Sequence, residues 1–241
     1  MKALRVVSAA IMLFVGFACV AGLYWALLNV PESSVPAIGL SAALALCAVA
    51  LSGITLGAAA AVGDDCTANA AIRCGVRALP VFVVALLLAV LLWWGANAVD
   101  ATWSAHAGEV DALAIRYLNA TRTAWLHAAV AWLTWAVRWV LAPSVVIGLT
   151  TAGSVDGLRS VGRGLRTAVR IVPLASVAVA AAVVFVGLGR LVDWKPRGLP
   201  PTWMEAAFIS GKLLAVYIAA ALITAILLRV HRRAARGASA T

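Results

Sequence analysis

The stretch that decides the fold is residues 166–193, which read RTAVRIVPLASVAVAAAVVFVGLGRLVD. The same pattern, shifted by 93 residues, occurs in residues 73–100, RCGVRALPVFVVALLLAVLLWWGANAVD. In both copies two arginines precede a proline, and an apolar run of membrane-spanning length ends in aspartate. Because Arg, Pro and Asp are scarce in this chain, their recurrence indicates an internal duplication. The matched residues are Arg73, Arg77, Pro80 and Asp100 in one copy and Arg166, Arg170, Pro173 and Asp193 in the other.

The composition is that of a membrane protein. Hydrophobic residues make up 64% of the 241 residues and charged residues only 12%, whereas about 25% of a soluble domain is charged. Six apolar runs are long enough for a helix that crosses the ~30 Å hydrocarbon layer. We therefore predict an all-α integral membrane protein with six transmembrane helices. The runs cover residues 6–30, 36–62, 79–99, 124–150, 171–192 and 206–228.

Positive charge is concentrated on one side of this arrangement. Twelve of the 19 Lys and Arg residues fall in segments on that side, and most acidic residues fall on the other. The positive-inside rule then predicts a multi-pass protein of the bacterial inner membrane with both termini in the cytoplasm. The net charge of +10 does not indicate nucleic acid, because the basic residues flank apolar runs. The twelve are Lys2, Arg5, Arg73, Arg77, Arg159, Arg163, Arg166, Arg170, Arg229, Arg232, Arg233 and Arg236.

The duplication divides the chain into four parts. Residues 1–63 are predicted to form an N-terminal transmembrane hairpin, and residues 231–241 a basic cytoplasmic tail. Residues 64–153 form the first repeat unit, with spans three and four and an outer loop at 100–123. Residues 154–230 form the second unit, with spans five and six. Since both copies begin on the same side of the membrane, the repeat is parallel.

Each unit begins with a basic amphipathic segment, called here the elbow. In the second elbow, Ser154 to Arg170, apolar residues recur at spacings of three and four, which is typical of a helix in the headgroup layer. Pro80 and Pro173 lie where such a helix would bend into the membrane. The elbows either set the angle of the next span or bind anionic lipid or a protein partner. Their arginines are Arg73, Arg77, Arg159, Arg163, Arg166 and Arg170.

Two further segments carry structural signals. In the outer loop, Val110, Leu113 and Tyr117 follow helical spacing, which predicts an amphipathic helix on the outer surface. In span two, Gly53 and Gly57 have the spacing that lets helices approach closely in lipid. In such an Ala-rich helix this spacing favours internal packing over a dimer interface.

Two cations fall inside apolar runs, where charge is costly and frequently functional. Regular helices would place Arg138 and Lys212 at similar depths, in comparable positions of the two units. Trp135 and Trp139 lie beside Arg138 on the same helix. One interpretation is a shared site for an anionic ligand such as a lipid phosphate. The other is that both cations snorkel to the outer interface, where the tryptophans form a belt.

The sequence favours no catalytic centre. No carboxylate lies well inside an apolar run, and the chain has no His-Glu-x-x-His, Gly-x-Ser-x-Gly or phosphate-cradling motif. We therefore expect neither enzyme activity nor a cofactor or metal ion.

The elbow segments resemble those of bacterial multi-spanning domains with paired elbow helices, such as the membrane domain attached to some glycerophosphodiester phosphodiesterases. The resemblance is carried by residues 157–161, 170–173 and 227–233 and covers about residues 64–236. It implies a helical membrane domain with elbows at the cytoplasmic surface. It implies no activity, because the catalytic domain of such proteins has no counterpart in these residues.

Together these features predict a scaffold or the membrane subunit of a larger assembly. Its partners would be anionic lipid headgroups and a second membrane protein or another copy of the chain. The alternative is a small permease or lipid-handling transporter with an anion-binding site at Arg138 and Lys212.

Overall fold

The computed structural model describes residues 2–30, 34–62, 67–118, 123–194 and 203–237 of the chain. In these ranges the regular structure is helical, without a β-strand. Six segments are long and apolar enough to cross a membrane, which confirms the predicted number, and we call them spans one to six. They are Val6–Leu28, Val35–Val62, Ala68–Ala105, Ala124–Ala168, Ile171–Asp193 and Trp203–Gly237.

The helices are α1 (Lys2–Leu28), α2 (Val35–Val62), α3 (Ala68–Ala105), α4 (Ala107–Leu118), α5 (Ala124–Ala136), α6 (Ala142–Asp156), α7 (Val161–Ala168), α8 (Ile171–Ala182), α9 (Gly189–Asp193) and α10 (Trp203–Gly237). Short irregular turns interrupt spans four and five. One π-helical turn, Val137–Leu141, joins α5 to α6, and another, Val183–Leu188, joins α8 to α9. A 3₁₀ turn at Gly157–Ser160 joins α6 to α7.

Small residues hold the central helices close together. A methyl group on Gly57 of α2 would lie 2.7 Å from the side chain of Ala78 in α3, and one on Gly153 of α6 would lie 2.8 Å from Val81. Helices in lipid lack a hydrophobic driving force between them, so close backbone approach and dispersion contacts take its place. The contact made by Gly57 confirms that the small residues of span two serve internal packing.

The first elbow differs from the prediction, because it is not a separate helix. Residues 68–80 are the first turns of α3, and Pro80 lies inside that helix without ending it. One proline removes a single backbone hydrogen bond, and Ala71, Gly75 and Ala78 are buried along the same stretch. Packing against α2 therefore supports the continuation of the helix through Pro80. With 38 residues, α3 is about 57 Å long and extends beyond the hydrocarbon layer.

The second elbow is a separate helix, as predicted, but it packs through an unexpected face. Gly164, Thr167 and Ala168 of α7 are buried, with Gly164 lying close to Leu149 of α6. Of the predicted amphipathic stripe, Leu158, Leu165 and Val169 are exposed, whereas Val161 packs against the buried cluster that includes Leu149. The helix ends at Ala168, and Arg170, in an extended conformation, immediately precedes α8. Pro173 lies in the first turn of α8, where its missing N–H has no partner to lose.

The predicted outer helix is present as α4, Ala107–Leu118. Its residue Ala114 is buried, whereas Leu113, Ile115 and Tyr117 are exposed. The rest of the predicted outer loop, residues 119–122, lies outside the described residues, as do residues 63–66 between the hairpin and the first unit, and residues 238–241 of the predicted tail.

Candidate functional site: the arginine-rich elbow end

Spans two, four and six end on the side of the bundle where α3 begins, called here the elbow end. In the last turns of α2, α6 and α10, which bring these spans to that side, a carbonyl oxygen accepts a hydrogen bond from an arginine elsewhere in the chain. Last-turn carbonyls lack a partner within the helix and carry the negative end of its dipole, so a guanidinium satisfies them in both respects. The pairs are Arg77 with Val155 at 3.1 Å, Arg170 with Ala234 at 2.9 Å, and Arg232 with Ala60.

Two of these arginines occupy equivalent positions of the sequence repeat. Arg77 and Arg170 are 93 residues apart, and each binds a carbonyl near the end of the helix that returns to the elbow end after its own outward span. Neither bond could be predicted from the sequence, because a backbone carbonyl has no sequence signature.

The remaining elbow arginines fall into two groups. Arg163 donates to the carboxylate of Asp156 at 2.5 Å, and both side chains are more than a third exposed. Arg73, Arg159 and Arg166 are exposed, and no residue in the described part of the chain bonds to them. The structure thus separates the six predicted contact residues into two carbonyl caps, one ion-paired arginine and three unengaged arginines.

A cleft of about 470 Å³ lies beside the first of the carbonyl caps. It is lined by Arg77, Arg159 and Arg163 together with Asp156, where the fourth span meets the second elbow. Gly157 allows this turn, since its φ of 60° is one that other residues rarely adopt. The cleft concentrates positive charge, but the carboxylate of Asp156 offsets part of it.

The intramembrane cation Arg138 lies in the π-helical turn of span four and has an internal partner. Its guanidinium donates to the carboxylate of Asp100 near the end of α3. The side chain of Arg138 is 18% exposed, and its Nε is buried with no hydrogen-bond partner among the described residues. Asp100, predicted to mark the boundary of its span, is therefore also the counter-ion of Arg138.

The other predicted cation, Lys212, serves as a cap at the opposite end. Its Nζ donates to the carbonyl oxygens of Val192 and Trp194, the latter at 2.6 Å, where span five ends. It also lies 5.3 Å from the ring centre of Phe208. No hydrogen bond or ion pair between described residues joins it to Arg138, so the structure gives the two cations separate partners.

The predicted tryptophans pack around the π-helical turns of spans four and five. The rings of Trp139 and Phe185 are 4.8 Å apart, and those of Trp135 and Phe185 are 6.0 Å apart. Trp93 adds an edge-to-face contact with Trp139 at 4.9 Å. Such contacts fit helix packing at an interface rich in tryptophan. Arg138 is next to Trp139 in sequence, but no cation–π contact of Arg138 occurs within the described residues.

The structure also contains a buried polar pair at the elbow end that the sequence did not predict. His231 and Ser144 are fully buried, and the Nε2 of the histidine lies 3.2 Å from the serine Oγ. The hydroxyl donates to the carbonyl of Ala168, the last residue of α7, at 2.7 Å, and Nδ1 of His231 lies 2.9 Å from the oxygen of Leu227. This pair joins α6, α7 and α10.

A second polar network holds the outer helix. The Trp103 ring N–H donates to Nδ1 of His127, which leaves Nε2 of the histidine to donate to Asp111; both distances are 2.9 Å. Hydrogen bonds from the Thr123 hydroxyl and from His127 hold the pKa of Asp111 below its ordinary value of 3.8. The network connects α3, α4 and α5.

No protein-family model, curated protein or solved structure matches this chain. The resemblance of the elbow segments to paired-elbow membrane domains therefore stays a prediction.

Proposed function

We propose that this chain is a non-enzymatic scaffold or membrane subunit of a larger assembly, which holds anionic lipid at its elbow end. The observation that supports this proposal is the distribution of unengaged positive charge. Arg73, Arg159 and Arg166 are exposed at the elbow end and are bonded to no described residue, whereas Arg138 and Lys212 have internal partners. Exposed arginines next to spans are attracted to anionic headgroups by about 1 kcal/mol each.

In this proposal the elbow end faces the cytoplasm of a bacterial inner membrane, with both termini on that side. Supporting this orientation, the arginines of the caps and the unengaged arginines all lie at one end of the bundle, as the positive-inside bias requires. The hydrogen bonds of Arg77 and Arg170 attach the elbow segments to the ends of α6 and α10. These bonds therefore hold the unengaged arginines of the elbows in position.

Lipid retention after extraction tests the lipid part of the proposal. Purified protein in mild detergent should retain phosphatidylglycerol over phosphatidylcholine, measured by mass spectrometry of the bound lipid. The double variant Arg159→Gln/Arg166→Gln should lower that preference by about fivefold or more. The control Arg116→Gln/Arg190→Gln removes the same charge from exposed positions outside the elbow end and should preserve it. An equal loss in both variants would contradict a localised lipid contact.

Isolation from gently extracted membranes tests the scaffold part. We expect a stable complex with a second membrane protein or another copy of the chain. A monomer that catalyses transport in reconstituted vesicles would refute a scaffold role.

The alternative, a permease using Arg138 and Lys212, is not favoured by any contact between them. The permease alternative can be tested directly. If it is correct, Arg138→Ala and Lys212→Ala should abolish substrate or lipid binding in a protein that still folds. Variants that bind as the wild type does would leave the two residues as structural.

A further inference from the structure

A groove of about 660 Å³ lies where the second elbow turns into span five, beside the C-terminal part of α10. Its lining is mostly apolar and includes Ile171, Val172 and Val230, and two arginines, Arg170 and Arg233, complete it. Ile171 and Val172 are 84% and 69% exposed. The groove therefore combines an open apolar wall with positive charge at the point where α7 ends and a membrane span begins.

We propose that this groove binds one anionic phospholipid, with its phosphate on Arg170 and Arg233 and an acyl chain along Ile171 and Val172. The inference rests on the proposed function and names a defined site for it. Guanidinium groups suit phosphate because they present several N–H donors in a fixed plane. An apolar wall at the same place suits the hydrocarbon that is attached to the phosphate.

Arg170 is already held in position for this role. One of its terminal nitrogens donates to the carbonyl of Ala234 at 2.9 Å, and a guanidinium has five N–H donors in all. The bond to Ala234 restricts the side chain while leaving donors for a ligand, so less conformational entropy is lost on binding. Arg233 is exposed and bonds to no described residue, which leaves its guanidinium available.

The cleft beside Arg77 is the weaker candidate for the same ligand. It contains the carboxylate of Asp156, which pairs with Arg163 at 2.5 Å. A phosphate there would be repelled by the carboxylate and would compete with it for the arginine. None of the described residues that line the groove beside Arg170 is acidic, so charge complementarity favours that groove.

Native mass spectrometry of the full chain in detergent tests the proposal. With added phosphatidylglycerol, the wild type should show a one-lipid adduct that phosphatidylcholine does not give at the same concentration. Arg233→Gln should reduce the adduct about fivefold, as expected for one basic residue at an anionic headgroup. Ile171→Thr should reduce it as well, because the acyl chain loses part of its apolar wall. Both residues are exposed, and the unfolding temperature should confirm that both variants fold.

Two controls make the outcomes decisive. Arg190→Gln removes an exposed arginine outside the elbow end and should leave the adduct intact. If Arg166→Gln removes the adduct and Arg233→Gln does not, the groove is wrong while lipid binding at the elbow end stands. Glycerol 3-phosphate at the same concentration should not displace the lipid, and full displacement would show that the site takes free phosphate. A wild type that retains both lipids equally would overturn the proposed lipid contact itself.

Discussion

At the scale of single residues, the ion pair of Arg138 and Asp100 shows why an intramembrane charge need not be a ligand site. A partly buried cation next to a carboxylate avoids the large desolvation cost that it would have alone. The sequence places Arg138 inside one apolar run and Asp100 at the end of another. It could not pair them, because they belong to different helices and are 38 positions apart.

We expect Asp100→Asn to lower the unfolding temperature, because it leaves the guanidinium of Arg138 without its counter-charge. The double variant Asp100→Asn/Arg138→Gln should recover part of that loss, since removing both members of a partly buried pair leaves no uncompensated charge. Thermal unfolding in detergent measures both. A double variant less stable than Asp100→Asn alone would rule out the ion pair as the main contact of Arg138.

The buried Ser144 is expected to contribute to stability through its hydroxyl. Ser144→Ala leaves the carbonyl of Ala168 and Nε2 of His231 without this partner, which should cost about 1–3 kcal/mol of unfolding free energy. Thr224→Ala is the matched control, because its hydroxyl bonds only to a carbonyl of its own helix at an exposed site. Equal losses in the two variants would argue against a special role for the pair with His231.

Acid should loosen the outer helix through Asp111. Its pKa is lowered in the folded state, so its contribution to stability is present above the unfolded pKa of 3.8 and is lost as the pH falls through the folded value. Amide hydrogen exchange in α4, corrected for the intrinsic pH effect, should therefore lose protection below about pH 4. Asp111→Asn should show reduced protection already at pH 6 and little change on acidification. An unchanged response in this variant would exclude Asp111 as the origin.

At the scale of helices, close backbone approach organises the centre of the bundle. A methyl group on Gly75 of α3 would overlap the backbone oxygen of Ile54 in α2, whereas Gly95 of the same helix has no neighbour within 4 Å. Gly75→Ala should therefore destabilise the protein by about 1–3 kcal/mol. Gly95→Ala should be neutral or stabilising by up to about 1 kcal/mol, because alanine restricts the unfolded chain. Comparable losses in both variants, measured by unfolding in detergent, would contradict the close packing of α2 and α3.

Helices were predictable from the sequence to the extent that hydropathy defines them. Spans one to six are visible because about 20 apolar residues in succession are typical of a transmembrane helix. The sequence did not show that the first elbow continues into its span while the second is a separate helix, because Pro80 and Pro173 follow matching arginines in both. Because Gly75 is buried against α2, the helix continues through Pro80. Because α7 packs on α6, the helical structure is interrupted at Arg170, before α8 begins. Tertiary contacts, which the local pattern does not encode, decide between these outcomes.

At the scale of the whole molecule, the capped span ends define one face of the protein. The donors and acceptors of the three caps are 78, 64 and 172 residues apart. Since the acceptors are backbone carbonyls, no sequence pattern identifies them. The candidate site could therefore be predicted only as a group of arginines. Its division into caps and unengaged arginines required the positions of all three returning spans.

The orientation of this face is open to a direct measurement. In a chain whose own cysteines are replaced, Gly162→Cys on the second elbow and Gly108→Cys on the outer helix provide reporters at sites with open space around them. With the elbow end in the cytoplasm, a membrane-impermeant maleimide added to intact spheroplasts should label Gly108→Cys and not Gly162→Cys. Lysis should make both reactive. The reverse labelling would invert the proposed topology.

The caps also impose an order on how the chain is assembled during synthesis. Arg77 is made 78 residues before the span end that it binds, which corresponds to roughly 4–16 s at ribosomal speed. Until then the guanidinium lacks this acceptor, and the cap can form only when the later span has been made. The N-terminal hairpin closes last, because Arg232 follows Ala60 by 172 residues. A nascent chain that has not yet released Arg232 from the ribosome would therefore keep the end of span two uncapped.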